Sequence, residues 1–178
     1  DSMLYKMPLD GTAPSAVGVT GSPVDQFSFL ESSDQHLNVL IRSDGSGEQM
    51  WSSEFAAGDV ALFRMPVSSF SDGSLDAPGY RYQELPKPEG YTFQNRFVGD
   101  YLMYGTGSGW GAPQKRDSAN LFAVNWANGD VSELRLKHGV DRIEQMGKDA
   151  VVVGTTGSDL YFSPVRLGER PEVKESYA

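Results

Sequence analysis

The 178-residue sequence contains no cysteine, which removes disulfides, thiolate nucleophiles and thiolate metal sites. Its two histidines, His36 and His138, are too few for a histidine zinc cage, and a Ser-His-Asp relay would have to use one of them. Cationic charge is also scarce. Lys and Arg number 15 against 24 Asp and Glu, a formal charge of −9. Phosphate backbones are held by clustered cations, so nucleic acids and anionic membrane surfaces are disfavoured as partners. No run approaches the length of a membrane-spanning segment and no charged-then-apolar leader opens the sequence, so membrane insertion is not expected. Amphipathic helices are missing as well, because no stretch keeps apolar residues at i, i+3, i+4 and i+7.

What remains is a turn-rich, foldable composition with 39% hydrophobic residues, 11% aromatic residues, 20 glycines and 10 prolines. Apolar and aromatic residues come in short runs bounded by Gly, Asp, Asn and Pro, the pattern of an all-β chain. One run recurs. Leu4-Tyr5-Lys6-Met7, Leu62-Phe63-Arg64-Met65, Leu121-Phe122-Ala123-Val124 and Leu160-Tyr161-Phe162-Ser163 are each an aliphatic-aromatic strand, at separations of 58, 59 and 39 residues. Several lead into Asp10-Gly11, Asp72-Gly73 or Asn128-Gly129, turns that accept positive φ.

Hairpins precede three of the four copies. Gln26–Leu30 turns into His36–Arg42, Arg96–Val98 into Tyr101–Tyr104, and Ile143–Met146 into Ala150–Val153. A further strand follows each copy, at Ser15–Val19, Tyr80–Leu85, Val131–Leu136 and Glu172–Ser176. With the strands of a unit named a to d, the chain reads cd, abcd, abcd, abcd. Four-stranded antiparallel units at this interval predict a β-propeller fragment of about three and a half to four blades. A β-sandwich also has many short strands, but it does not require the same strand four times behind a hairpin. The expected organisation is one partial propeller domain over 1–178, with a half blade at 1–22 and blades at 23–88, 89–138 and 139–178. Such a piece leaves a ring open, so further blades or a second chain are expected to complete it.

The segment Val24-Asp25-Gln26-Phe27-Ser28-Phe29-Leu30, followed by His36–Arg42 and the Leu62-Phe63-Arg64 strand, resembles the inner hairpin and aromatic strand of bacterial secreted proteins with a C-terminal β-propeller domain. The resemblance covers about one blade. It implies a periplasmic or extracellular setting and brings no catalytic residues with it.

In an antiparallel unit the b-to-c loops and d-to-a crossovers share one end. The longest Gly/Ser-rich connections are both b-to-c: Ser43–Asp59, carrying Trp51, and Gly105–Ser118, carrying Trp110. This end is the candidate binding face, because a rigid scaffold presents functional loops. The alternative is that both loops are tolerated insertions whose tryptophans fold back. Strand a begins at the same end, which adds Asp25, Asn95, Arg96, Asp141 and Arg142 as candidate ligand-binding residues. Asp25 and Asp141 could share a cation or cationic ligand. Alternatively, each accepts backbone N–H bonds or pairs with an arginine.

Catalytic motifs are absent from the sequence. Gly105-Thr106-Gly107-Ser108-Gly109 is out of frame for a nucleophile elbow and for a dinucleotide loop, and reads as a loop. His36 and His138 read as turn or edge residues. No catalytic residue, metal site or cofactor is therefore assigned. The expected function is a binding or scaffold module for a protein, peptide or carbohydrate partner. The alternatives are a propeller hydrolase or lyase with an acidic or metal-assisted site at the channel mouth, and a structural spacer.

Overall fold

Strands dominate the computed structural model, which describes residues 1–43, 58–90, 92–107, 118–157 and 159–178. The described residues form four β-sheets and no α-helix. The chain divides into two compact units, Asp1–Lys87 and Pro88–Ala178. Trp51 and Trp110, with most of both long b-to-c connections, lie outside the described residues.

In the first unit, β1 (Ser2–Lys6) pairs antiparallel with β2 (Ser15–Val19). Beyond them, β3 (Ser22–Pro23) and β4 (Phe29–Glu31) pair with the same edge of β5 (His36–Arg42), which pairs with β6 (Val60–Pro66). The expected inner strand Gln26–Leu30 is therefore split. Asp25 Oδ1 accepts from the Phe27 amide at 2.8 Å and the Ser28 amide donates to the Asp25 carbonyl at 3.2 Å, a turn that lifts the chain out of the ladder.

The sequence reading also missed β7 (Asp72–Asp76), which leaves the β5–β6 sheet and pairs parallel to β2. The Ala16 amide donates to the Ser71 carbonyl and the Ala77 amide to the Gly18 carbonyl, both at 2.8 Å, so the outer edge of β2 is covered. After a 3-10 turn at Gly79–Arg81, the chain returns to the other sheet as β8 (Tyr82–Leu85), beside β6.

The second unit consists of two antiparallel meanders. One is β9 (Thr92–Val98), β10 (Tyr101–Gly107), β11 (Ala119–Asn125) and β12 (Val131–Leu136). The other is β13 (Arg142–Met146), β14 (Asp149–Thr156), β15 (Asp159–Arg166) and β16 (Glu172–Val173). The two sheets keep the same strand order, since β9 lies against β13 and β12 against β16.

Side-chain alternation along a strand puts the repeated leucine and the aromatic after it on opposite faces. In the first unit, Leu4 of the earlier sheet shares one core with Phe63 of the later sheet, together with Val17, Val39, Ile41 and Tyr82. In the second, Leu121 of the earlier sheet shares a core with Val152 and Val165 of the later one. Tyr161 lies on that same face of β15, at the alternate positions with Ser163 and Val165. The motif has one polarity in both units, with the leucine directed to the following sheet and the aromatic to the preceding one. Full burial of a side chain such as Phe63 contributes about 1.5–3 kcal/mol.

Candidate functional site

Among the residues picked out from the sequence, the structure brings Arg96 and Arg142 together. Each is on the first strand of its sheet, β9 and β13, and both reach Glu144, which the sequence reading did not select. Arg96 Nη2 lies 2.6 Å from Glu144 Oε2 and Arg142 Nε 2.5 Å from Glu144 Oε1. Donation from Arg142, reinforced by Arg96, holds the Glu144 carboxyl below the usual glutamate range. Arg142 remains largely exposed, at 71%. Asn95 neighbours Arg96 on β9 and is buried opposite Tyr104 of β10.

The two aspartates are engaged locally. Asp25, in the first unit, closes its own turn and also accepts from the Ser28 hydroxyl at 3.3 Å. Asp141, in the second, accepts at Oδ2 from the Thr155 amide at 3.0 Å and the Thr155 hydroxyl at 3.1 Å. These bonds match the backbone-acceptor reading of the two residues. No group of three metal-ligating side chains occurs among the described residues.

Glycines explain how the crossover into β13 approaches the strands beside it. A Cβ on Gly107 would stand 2.6 Å from the Val140 carbonyl oxygen, and one on Gly154 would stand 1.7 Å from the Gly139 carbonyl oxygen. Gly105–Gly107, read from the sequence as loop, is strand β10; its glycines leave room for Val140 and Asp141 to pass.

His138 lies in the bend between β12 and β13, as expected of a turn residue, and there it is fully buried, at 0% exposure. Its ring stacks on Tyr161 at 5.6 Å between centroids, its Nδ1 is 2.7 Å from the Gly139 carbonyl, and its Nε2 is 2.6 Å from the Ser163 hydroxyl. A carbonyl only accepts, so Nδ1 carries the proton and Nε2 of the neutral ring accepts from Ser163. The Ser163 oxygen lies in turn 2.6 Å from the Ser176 hydroxyl. Burial pushes the His138 pKa down, against the raising effects of the Gly139 carbonyl and Asp141. Ser163 is itself fully buried, so this serine-histidine pair is closed to a substrate and acts as a fastening between crossover, β15 and the C-terminal segment. The sequence alone did not mark this bond, because the burial of Ser163, which makes its hydroxyl need a partner, is known only from the fold.

The first unit holds a second polar cluster, at the a-to-b end of its sheet. Arg64 Nη1 donates to Asn38 Oδ1 at 2.6 Å and Nη2 pairs with Asp34, while Asn38 Nδ2 donates to Ser32 Oγ at 3.0 Å. Asn38 is fully buried and these bonds satisfy its amide, so the cluster clips the β4–β5 turn to β6.

No protein family, curated protein or solved structure matches this chain. The functional reading therefore rests on geometry and on the sequence motifs.

Proposed function

We propose that the chain is a β-propeller segment serving as a binding module, its sheets acting as consecutive blades that present their b-to-c ends to a protein, peptide or polysaccharide. The observation that carries this reading is the shared polarity of the leucine-aromatic motif in both units, with β9 against β13 and β12 against β16. Neighbouring propeller blades stack with inner strand beside inner strand and outer beside outer. At the b-to-c end of the β5–β6 pair, the base of the long connection is closed by backbone bonds. The Ser43 amide donates to the Asp59 carbonyl at 2.9 Å and the Gly58 amide to the Ser43 carbonyl at 3.0 Å, which supports a loop presented from a fixed stem. Arg96 and Glu144 each lie two residues from the strand end at an a-to-b turn, so the long loops rather than the charged triad they form with Arg142 make the proposed surface. By its resemblance to secreted propeller proteins, the setting is periplasmic or extracellular.

The test is to screen the purified chain against peptide and glycan arrays, then measure the strongest ligand by calorimetry. The reading predicts that Trp51→Ala or Trp110→Ala weakens binding at least about tenfold, of the order of one aromatic anchor. Asp100→Asn, in the β9–β10 turn at the opposite end, leaves it unchanged. Loss of binding through Asp100 with both tryptophans dispensable would place the ligand at the wrong end and overturn the reading.

A further inference from the structure

Each unit buries a leucine face of one sheet against an aromatic face of the next, and two further sheet faces carry exposed apolar side chains. On the β13–β16 sheet, the face turned away from its core carries Leu160 at 49% and Phe162 at 44% exposure, beside half-buried Val151 and Val153. On the β1–β2–β7 sheet, the face turned away from Leu4 carries Tyr5 at 68% exposure and Met3, over a floor of Ala16 and Gly18. The first is a leucine face lacking an aromatic one, and the second is the reverse.

We propose that these two faces bind each other between copies, so that the β13–β16 sheet of one chain stacks on the β1–β2–β7 sheet of a second. The inference rests on the stacked-repeat reading above and continues the interface each unit already contains. Charge selects the same arrangement. Residues 1–89 hold 5 basic and 13 acidic side chains, whereas 90–178 hold 10 and 11. Pairing two β1–β2–β7 faces would oppose two acidic halves, while head-to-tail pairing opposes an acidic half to a nearly neutral one. Locally, the Asp76 carboxylate stands over Gly18 on one face, while on the β13–β16 sheet Arg142 pairs with Glu144 and Arg166 lies opposite Glu172, so the charge argument rests on the halves as wholes. Pairing like faces would leave each leucine without its aromatic, so the contact is heterologous.

Sedimentation equilibrium tests this directly. The unmodified chain is expected to associate to at least two copies with rising concentration. Leu160→Asp and Tyr5→Asp, both at exposed positions, are each expected to yield monomers with unchanged circular dichroism. Mixing the two variants restores a heterodimer, because each retains the face the other lacks. A monomeric unmodified chain, a dimer abolished by only one of the variants, or a mixture that stays monomeric would overturn the inference. The stacking within each unit is measured separately, by the cross-linking described at the end of the Discussion. A chain that cross-links as expected and stays monomeric removes only the head-to-tail contact.

Discussion

His138 accepts a hydrogen bond at Nε2 from the Ser163 hydroxyl across 2.6 Å, with both side chains fully buried. The bond joins the crossover ahead of β13 to the strand that carries the fourth leucine-aromatic repeat. Ser163 also meets Ser176 at 2.6 Å, which ties the C-terminal segment to the same point.

Removing the hydroxyl leaves a buried ring nitrogen without a donor. Ser163→Ala is expected to lower unfolding stability by about 1–3 kcal/mol, seen as a lower urea midpoint with an unchanged slope. Ser176→Ala spares the bond to His138 and is expected to cost less. Equal losses from the two would contradict the order of this relay.

Stability should depend on pH through the same ring. Burial lowers the folded-state pKa of His138 below its ordinary value of 6.5, so the unfolded chain binds the proton more readily than the folded one. The contribution of neutral His138 is complete above about 6.5 and declines as pH falls toward the lowered folded-state pKa. Urea midpoints measured from pH 7.5 down to pH 5 should fall, and His138→Gln, which does not titrate, should flatten that part of the curve. An identical slope in the variant would remove His138 as the cause.

Two glycines of the last sheet should differ sharply in their tolerance of alanine. Gly154→Ala sets a Cβ against the Gly139 carbonyl oxygen at 1.7 Å and His138 Nδ1 at 2.5 Å, and should cost several kcal/mol or prevent folding. Gly157 has open space around it and a φ of 61°, so Gly157→Ala meets backbone strain alone, on the order of 1 kcal/mol. Thermal melts of the two variants give the comparison, and a milder loss at Gly154 would contradict the close crossover.

The all-β class and most strand positions were legible in the sequence because alternation and turn residues act locally. His36–Arg42, Ser15–Val19 and Val131–Leu136 match the observed strands end to end. The parallel strand β7 was not legible, since its partner β2 lies more than fifty residues earlier and Asp72-Gly73 carries only a turn signal. Gly105–Gly107 was read as loop because glycine composition does not reveal that a neighbouring crossover needs the space. At the candidate site, Arg96 and Arg142 were chosen for type and position. Glu144, which joins them, is one of 24 acids and became distinguishable only once β9 and β13 were side by side.

The arginines of that triad should contribute unequally. Arg142 is mostly exposed, and Arg142→Ala is expected to change stability by no more than about 1 kcal/mol, less at high salt. Arg96 is more enclosed, and Arg96→Ala should cost more. A double-mutant cycle with Glu144→Gln measures each coupling, and a stronger Arg142 coupling would contradict the geometry.

The stacking of equivalent strands is tested most directly by cross-linking, which the absence of cysteine leaves free of background. Glu172 on β16 lies three strands from β13, or about 14 Å at ordinary strand spacing. With a thiol cross-linker shorter than that, Arg96→Cys paired with Glu144→Cys should link efficiently, and Arg96→Cys paired with Glu172→Cys should not. Linkage through residue 172 with none through residue 144 would mean that the two sheets stack in opposite strand order, and the repeat account would fail.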